Sequence, residues 1–435
     1  MVGLALIVLA GFGVRLGYAL AGGGADTSYD GVYYHFAANA LVDGDGFVNP
    51  WNGAATGQHP PAWMILLALP SVAGFESLLA HQVFAAIVGT TTVLLVGVAG
   101  RAIAGTRVGL IAAGVTAVNP NLWVRERELL GQTLVFPLVA VTLVIAYRYW
   151  RAPRAITLVA VGAMCGLLAL VHASLALLIA VLPPLLALRA PSGLSRARRL
   201  KQLAAALCVA GVVLLPWVVR QTVRFERPTF LTTTFGLNLR VGTCPAGYYG
   251  DRIGSFDPDI WLPVTDTGSD RCGFDPALET ETEQDDEHLS RALSYMREHA
   301  DRVPIVAAAR QGRIWGVFRP FQTSTLEQEF GTGPLGVHHA GVVFYWALVP
   351  FIVAGALHLR RSGVTLLPMV PFFLVAIAAA AIAFGTYRYR TPAEVPIAIL
   401  AAAGIDRLWT RAAHRPEAAR NESTTSSTSA SVMSV

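Results

Sequence analysis

Runs of about 20 apolar residues recur along this chain from its first residues to position 409, and that recurrence leaves few folds open. A bilayer core offers no water, so a backbone crossing it must satisfy its own N–H and C=O groups, which a helix does within one segment. Candidate spans fall at 2–21, 76–100, 108–123, 129–147, 155–171, 173–188, 203–219, 337–358, 364–384 and 392–409. Charged residues make up only 14% of the chain, against about 25% in soluble domains. The expected fold class is an all-α polytopic membrane protein of about ten transmembrane helices. The first run has neither a basic start nor a small-residue cleavage site, so a retained span is expected rather than a signal peptide.

Basic residues then orient the chain. Arg101 and Arg107 share one connection, Arg148, Arg151 and Arg154 a second, and Arg189, Arg196, Arg198, Arg199 and Lys201 a third. Arg360 and Arg361 occupy a fourth, and the tail from Arg407 is basic too. All fall on one side of the layout, which makes that side cytoplasmic and puts both termini there. The net charge of +5 is thus explained by orientation, and no nucleic-acid partner is expected. A plasma (inner) membrane location follows. The segments 22–75 and 220–336 then lie outside, the first as a loop within the N-terminal core 1–219, the second as a region of mixed helix and coil. Residues 337–410 hold the C-terminal spans, and 411–435, rich in Ser, Thr and Ala, are expected to be disordered.

Candidate chemistry gathers on the outer side. Asp30, beside Tyr33 and Tyr34, is a helix N-cap on one reading. On the other it is a general base, its pKa raised by an apolar surrounding. Asp26, Asp43 and Asp45 compete with it, although the DGDG run reads as turn chemistry. His59 precedes Pro60-Pro61, an expected extended backbone where the loop re-enters the membrane, and suits contact with a lipid phosphate. Arg15, Arg388 and Arg390 sit against the positive-inside bias, and guanidinium forks fit phosphate oxygens. Arg125 and Arg127 share that placement, with Glu126 and Glu128 at hand to neutralise them. Tyr33, Tyr34 and Trp51 offer rings for a sugar or acceptor, and Glu128 a further carboxylate. The acidic run from Glu279 to Glu287 reads as a solvated helix start. Cys165 and Cys208 fall in apolar runs, while Cys244 and Cys272 share the outer segment and are a possible disulfide. No Walker loop, dinucleotide fingerprint or Cys/His metal spacing occurs, so neither a cofactor nor a metal is expected.

The acidic residue followed by Tyr-Tyr, then HPPAW at 59–63, resembles the GT-C glycosyltransferases. More closely it resembles their dolichyl-phosphate-mannose–protein mannosyltransferase and aminoarabinose-transferase group, glycosyltransferase family 39. GRAIAGTRVGLIAAGVTAVNP, ERELLGQTLVFPL and TYRYRTPAEVPIAILAAAGID resemble that group's membrane core, so the likeness covers most of 1–220 and 337–410. It implies an enzyme taking a sugar from a polyprenyl-phosphate donor on the outer leaflet. The group's first-loop aspartate falls on Asp30 and its basic residue before Pro-Pro on His59. Where relatives carry a Leu-Ser-Glu-type step this chain has Gly131-Gln132, leaving Glu128 the nearest carboxylate, and Asp30 has no adjacent Glu.

The expected reaction is an inverting single displacement. Asp30 deprotonates an acceptor hydroxyl, on protein, lipid or glycan, while Arg388, His59, Arg15 and Arg390 bind the donor phosphate. Membrane lipids are the remaining partner. The competing readings are a lipid-linked sugar transporter or flippase, marked by charges buried mid-span and an internal repeat between halves, and a non-catalytic envelope assembly protein.

Overall fold

The computed structural model describes residues 2–191, 193–256 and 280–430. Among the described residues the regular elements are helices, apart from one antiparallel bridge between Val48 and Ala55. The N-terminal part runs α1 Val2–Ala21, α2 Tyr29–Asp43, α3 Ala62–Val72, α4 Leu78–Ala104, α5 Thr106–Val118 and α6 Pro120–Arg127. It continues with α7 Gln132–Arg151, α8 Ala155–Val171, α9 Leu177–Arg189 and α10 Arg196–Arg224. Short helices follow: α11 Phe235–Val241, α12 Pro245–Tyr248, α13 Glu281–Glu298, α14 Val303–Ile314 and α15 Pro320–Phe330. The chain closes with α16 Leu335–Arg361, α17 Val370–Ile382 and α18 Thr391–Ala430.

Helices α1, α4, α7, α10 and α16 are long and apolar enough to cross a membrane, and α3, α5, α8, α9 and α17 lie in shorter apolar helical stretches. Their outward faces carry exposed Leu, Val and Ile, such as Leu6, Leu94, Val212 and Val353. Beneath them a buried core joins α4, α5, α7, α8, α9, α17 and α18, with Leu143, Leu158, Leu178, Phe372 and Ile399 fully covered. This is an all-α polytopic membrane protein. Small residues set its tightest contact: a Cβ on Gly355 of α16 would collide with the Leu400 carbonyl of α18, and one on Gly404 with the Phe351 carbonyl. Close helix approach through small residues replaces the hydrophobic drive that lipid does not supply.

Three expectations change. The span foreseen at 108–123 is two helices, because the Asn119 side chain accepts the Asn121 N–H and Pro120 opens α6. The His-Pro-Pro step is no extended re-entry: Pro61 has φ −81°, ψ −22° and starts α3, as proline fits a first helical turn. The tail expected to be disordered from 411 continues α18 as helix to Ala430.

Candidate active site

The site begins at the N-terminus of α2. Ser28, not Asp30, is the cap: its hydroxyl oxygen accepts the Gly31 N–H at 2.9 Å and its O–H donates to the Glu128 carbonyl at 2.8 Å. Gly31 lets α2 sit on that carbonyl, since a Cβ there would overlap it. Asp30 in the first turn, where the helix dipole favours an acid, is therefore free for another partner. That partner is Arg388, 358 residues along the chain, whose Nη2 pairs with Asp30 Oδ2. The two side chains keep 25% and 31% of their surface exposed, so the pair can be reached from outside the protein.

This pairing corrects the expected electrostatics. Burial pushes the Asp30 carboxyl up, but the Arg388 guanidinium outweighs it and holds the group below the usual carboxylate range. An opposite charge in contact favours the ionised form more than partial desolvation disfavours it.

Two imidazoles flank the pair. The His59 ring centroid lies 4.7 Å from that of Tyr33 and 4.9 Å from that of Tyr34, and Nδ1 is 3.2 Å from the Tyr34 hydroxyl. Burial lowers its pKa, which favours the neutral, hydrogen-bonding imidazole over the cation. Tyr33 is buried, with its hydroxyl donating to Thr56 Oγ1 at 3.1 Å, and Tyr34 is buried too. Both brace His59 instead of presenting faces to a sugar. His172, after α8, is pushed down to about 4, chiefly by burial and then by Arg388. With Gln132, Ser174, Leu175, Arg388 and Tyr389 it lines a small open crevice of about 10 Å³. Trp51 is exposed and stacked on Tyr29, centroids 4.8 Å apart and planes 13° from parallel.

The other expected phosphate ligands are elsewhere. Arg15 is 1% exposed and spent: Nε donates to Glu126 at 2.9 Å, and its Nη atoms donate to the carbonyls of Gly11, Ala117 and Thr116. Arg390, also 1% exposed, donates to Glu394 at 2.6 Å and to the Ile314 carbonyl, and lies 3.9 Å from the Tyr345 ring centroid. Neither is open to solvent. Of the three arginines only Arg388 keeps a partly exposed side chain. Glu128 is fully buried, taking Arg125 on Oε2 at 2.9 Å, and is closed to solvent. Asp26 pairs with Arg127 at 2.7 Å, and Asp43 ends α2 before Gly44 at φ 90°.

Sequence reasoning missed Glu327 of α15. Its Oε1 accepts the Arg388 N–H at 3.1 Å and the Thr386 hydroxyl, and its Oε2 takes Arg125. Arg125 thus stands between Glu128 and Glu327 and supplies countercharge to both. It also missed that the acidic run is put to use: Glu281 accepts from Thr56, Gly57 and Thr233 and pins the first outer loop. Asp286 pairs with Arg227 and Asp285 takes the Leu237 N–H. Among the described residues no three His, Cys, Asp or Glu side chains stand close enough to hold a metal ion. Cys244 is disulfide-bonded, and Cys272, its expected partner, lies outside the described residues.

No protein-family model matches the chain, and no curated protein matches it in sequence. Solved structures do match. The archaeal oligosaccharyltransferase AglB from Archaeoglobus fulgidus, in complex with an inhibitory peptide and a dolichol-phosphate, superposes with a TM-score of 0.55 at 14% identity, over 97% of this chain and 51% of that one. An Archaeoglobus fulgidus oligosaccharyltransferase tethered to an acceptor peptide containing the NVT sequon gives 0.52 at 14% identity, over 94% of this chain and 49% of that one. The fold is that of these archaeal oligosaccharyltransferase structures. The chain spans about half their length. ArnT from Cupriavidus metallidurans, bound to undecaprenyl phosphate, gives a TM-score of 0.41 at 16% identity, over 95% of this chain and 79% of that one.

Proposed function

We propose that the protein is a membrane glycosyltransferase that moves a sugar from a polyprenyl-phosphate donor to an acceptor hydroxyl at the outer face of the membrane, with both termini in the cytoplasm. The observation that carries this is the Asp30–Arg388 pair: a carboxylate and a guanidinium, both partly exposed, joined at the rim of an apolar helix bundle. The GT-C fold, and the dolichol-phosphate that AglB binds, support the donor class.

In this mechanism the donor phosphate sits at Arg388 with His59 and His172 offering neutral N–H groups, and the sugar carbon lies between it and Asp30. The acceptor oxygen forms its bond to that carbon as the carbon–phosphate-oxygen bond breaks on the opposite face, which inverts the centre. The acceptor proton goes to Asp30, and the charge appearing on the phosphate is met by Arg388. Asp30 and the donor phosphate compete for one guanidinium. Donor binding therefore opens the ion pair, frees the carboxylate of its countercharge and makes it a stronger base just when an acceptor needs one. Trp51 and Tyr29 form an outer aromatic wall for the acceptor.

The test is turnover of a polyprenyl-phosphate sugar by the purified chain. Asp30→Asn should lower it by about 100- to 10,000-fold with normal expression and insertion. Turnover retained within a few-fold removes Asp30 from the base role.

A further inference from the structure

The reacting pair is formed by two segments far apart in sequence, and each is seated on a different buried carboxylate residue. Ser28 caps α2 and hangs it on the Glu128 carbonyl. The Thr27 hydroxyl adds a bond to the neighbouring Arg127 carbonyl at 3.2 Å. On the other side the turn Tyr387–Arg390 begins with no side-chain cap of its own. The open Arg388 N–H is taken by Glu327, which also takes the Thr386 hydroxyl. Arg125 then joins the two seats, with Nη1 to Glu128 and Nη2 to Glu327. All three side chains are at most 6% exposed.

We propose that Arg125 and Glu327 are positioning residues: by tying the turn that carries Arg388 to the platform that carries Asp30, they fix where the guanidinium stands relative to the carboxylate and to the donor phosphate. The proposal rests on the reading of Arg388 as the donor-phosphate residue. Glu327 touches no substrate. It acts through the backbone of Arg388, and replacing it should displace that guanidinium without removing it. A buried guanidinium suits the task because its rigid fork holds two carboxylates at a set separation, which the flexible ammonium of a lysine does not.

The experiment is a double-mutant cycle on the full-length chain in nanodiscs, read as affinity for a short-chain polyprenyl phosphate. Arg388→Ala should weaken binding by at least 10-fold. Glu327→Gln keeps an acceptor for the turn but sets an amide against Arg125, and should weaken binding about 10-fold in the wild-type background. In the Arg388→Ala background the same change should have almost no effect, since residues acting through one group are not additive. Thr386→Val, which removes only one contact to Glu327, should show the same pattern at smaller amplitude, and serves if Glu327→Gln does not fold. Equal weakening in both backgrounds, or none in the wild type while Arg388→Ala binds poorly, overturns the positioning role and leaves the donor site standing. Unchanged affinity in Arg388→Ala overturns both.

Discussion

Arg388 and Arg15 carry the same guanidinium and each meets one carboxylate, yet the two sites differ in what is left over. Around Arg15 the Nε and both Nη atoms are engaged, one on Glu126 and the others on carbonyls of α1 and α5, and solvent is excluded. Around Arg388 the fork makes one ion pair, a third of the side chain is exposed, and two neutral imidazoles stand near. A charge within a membrane protein marks function by default, but only unspent hydrogen-bonding capacity makes it a binding group. Arg15 is a structural fastener; Arg388 is a partly open one.

That contrast can be broken by mutation. The largest effect should come from Arg388→Ala, which is expected to lower turnover about 100- to 1,000-fold while thermal stability moves by only about 0–1 kcal/mol, as for other partly exposed pairs. Arg15→Ala should do the reverse. It strands Glu126 in a buried site and costs about 3–5 kcal/mol, seen as a lower detergent-solubilised melting point, while the fraction that remains folded keeps its rate. Equal loss of rate in both variants would erase the distinction.

A smaller effect, in pH, sharpens it. Because Arg388 depresses the Asp30 pKa, the ionised base persists below the usual carboxylate value of about 3.9. The acidic limb of kcat/KM should therefore lie under that value, with activity present above it and lost only as pH falls through it. The stability that the ion pair contributes follows the same sign: present above the unfolded carboxylate value, lost as pH falls through the folded one. Arg388→Ala should move the limb upward, because burial then loses its main opponent. A limb unchanged in the variant would mean that the two groups do not communicate. The smallest effect is at the aromatic wall: Trp51→Ala removes one stacking face worth about 0.5–1.5 kcal/mol and should raise the acceptor KM about 2- to 10-fold with kcat little changed.

The two regions also differ in how far the sequence revealed them. The bundle was largely legible, because a run of apolar residues means a span wherever it occurs; α1 and α8 have the bounds that the apolar runs predict. Local chemistry that breaks such a run was not, and Asn119-Pro120 split one expected span by capping. Asp30 was legible singly, as a carboxylate beside Tyr33 and Tyr34 in the first polar loop, and Arg388 as a basic residue placed against the positive-inside bias. Their pairing was not, because it joins residues 358 positions apart. Arg15 and Arg390 carried the same signal and are spent on Glu126 and Glu394, partners that only the packing brings within reach. Glu327 gave no signal at all: an acidic residue in a polar outer segment looks solvated until Arg125 is folded against it.

The central claim is that Asp30 and a donor phosphate share Arg388. It is tested most directly by measuring polyprenyl-phosphate affinity and sugar turnover side by side in Asp30→Asn. The account expects turnover to vanish while affinity holds or rises, since the competing carboxylate charge has gone. Affinity that falls along with turnover, or turnover that survives, would contradict it.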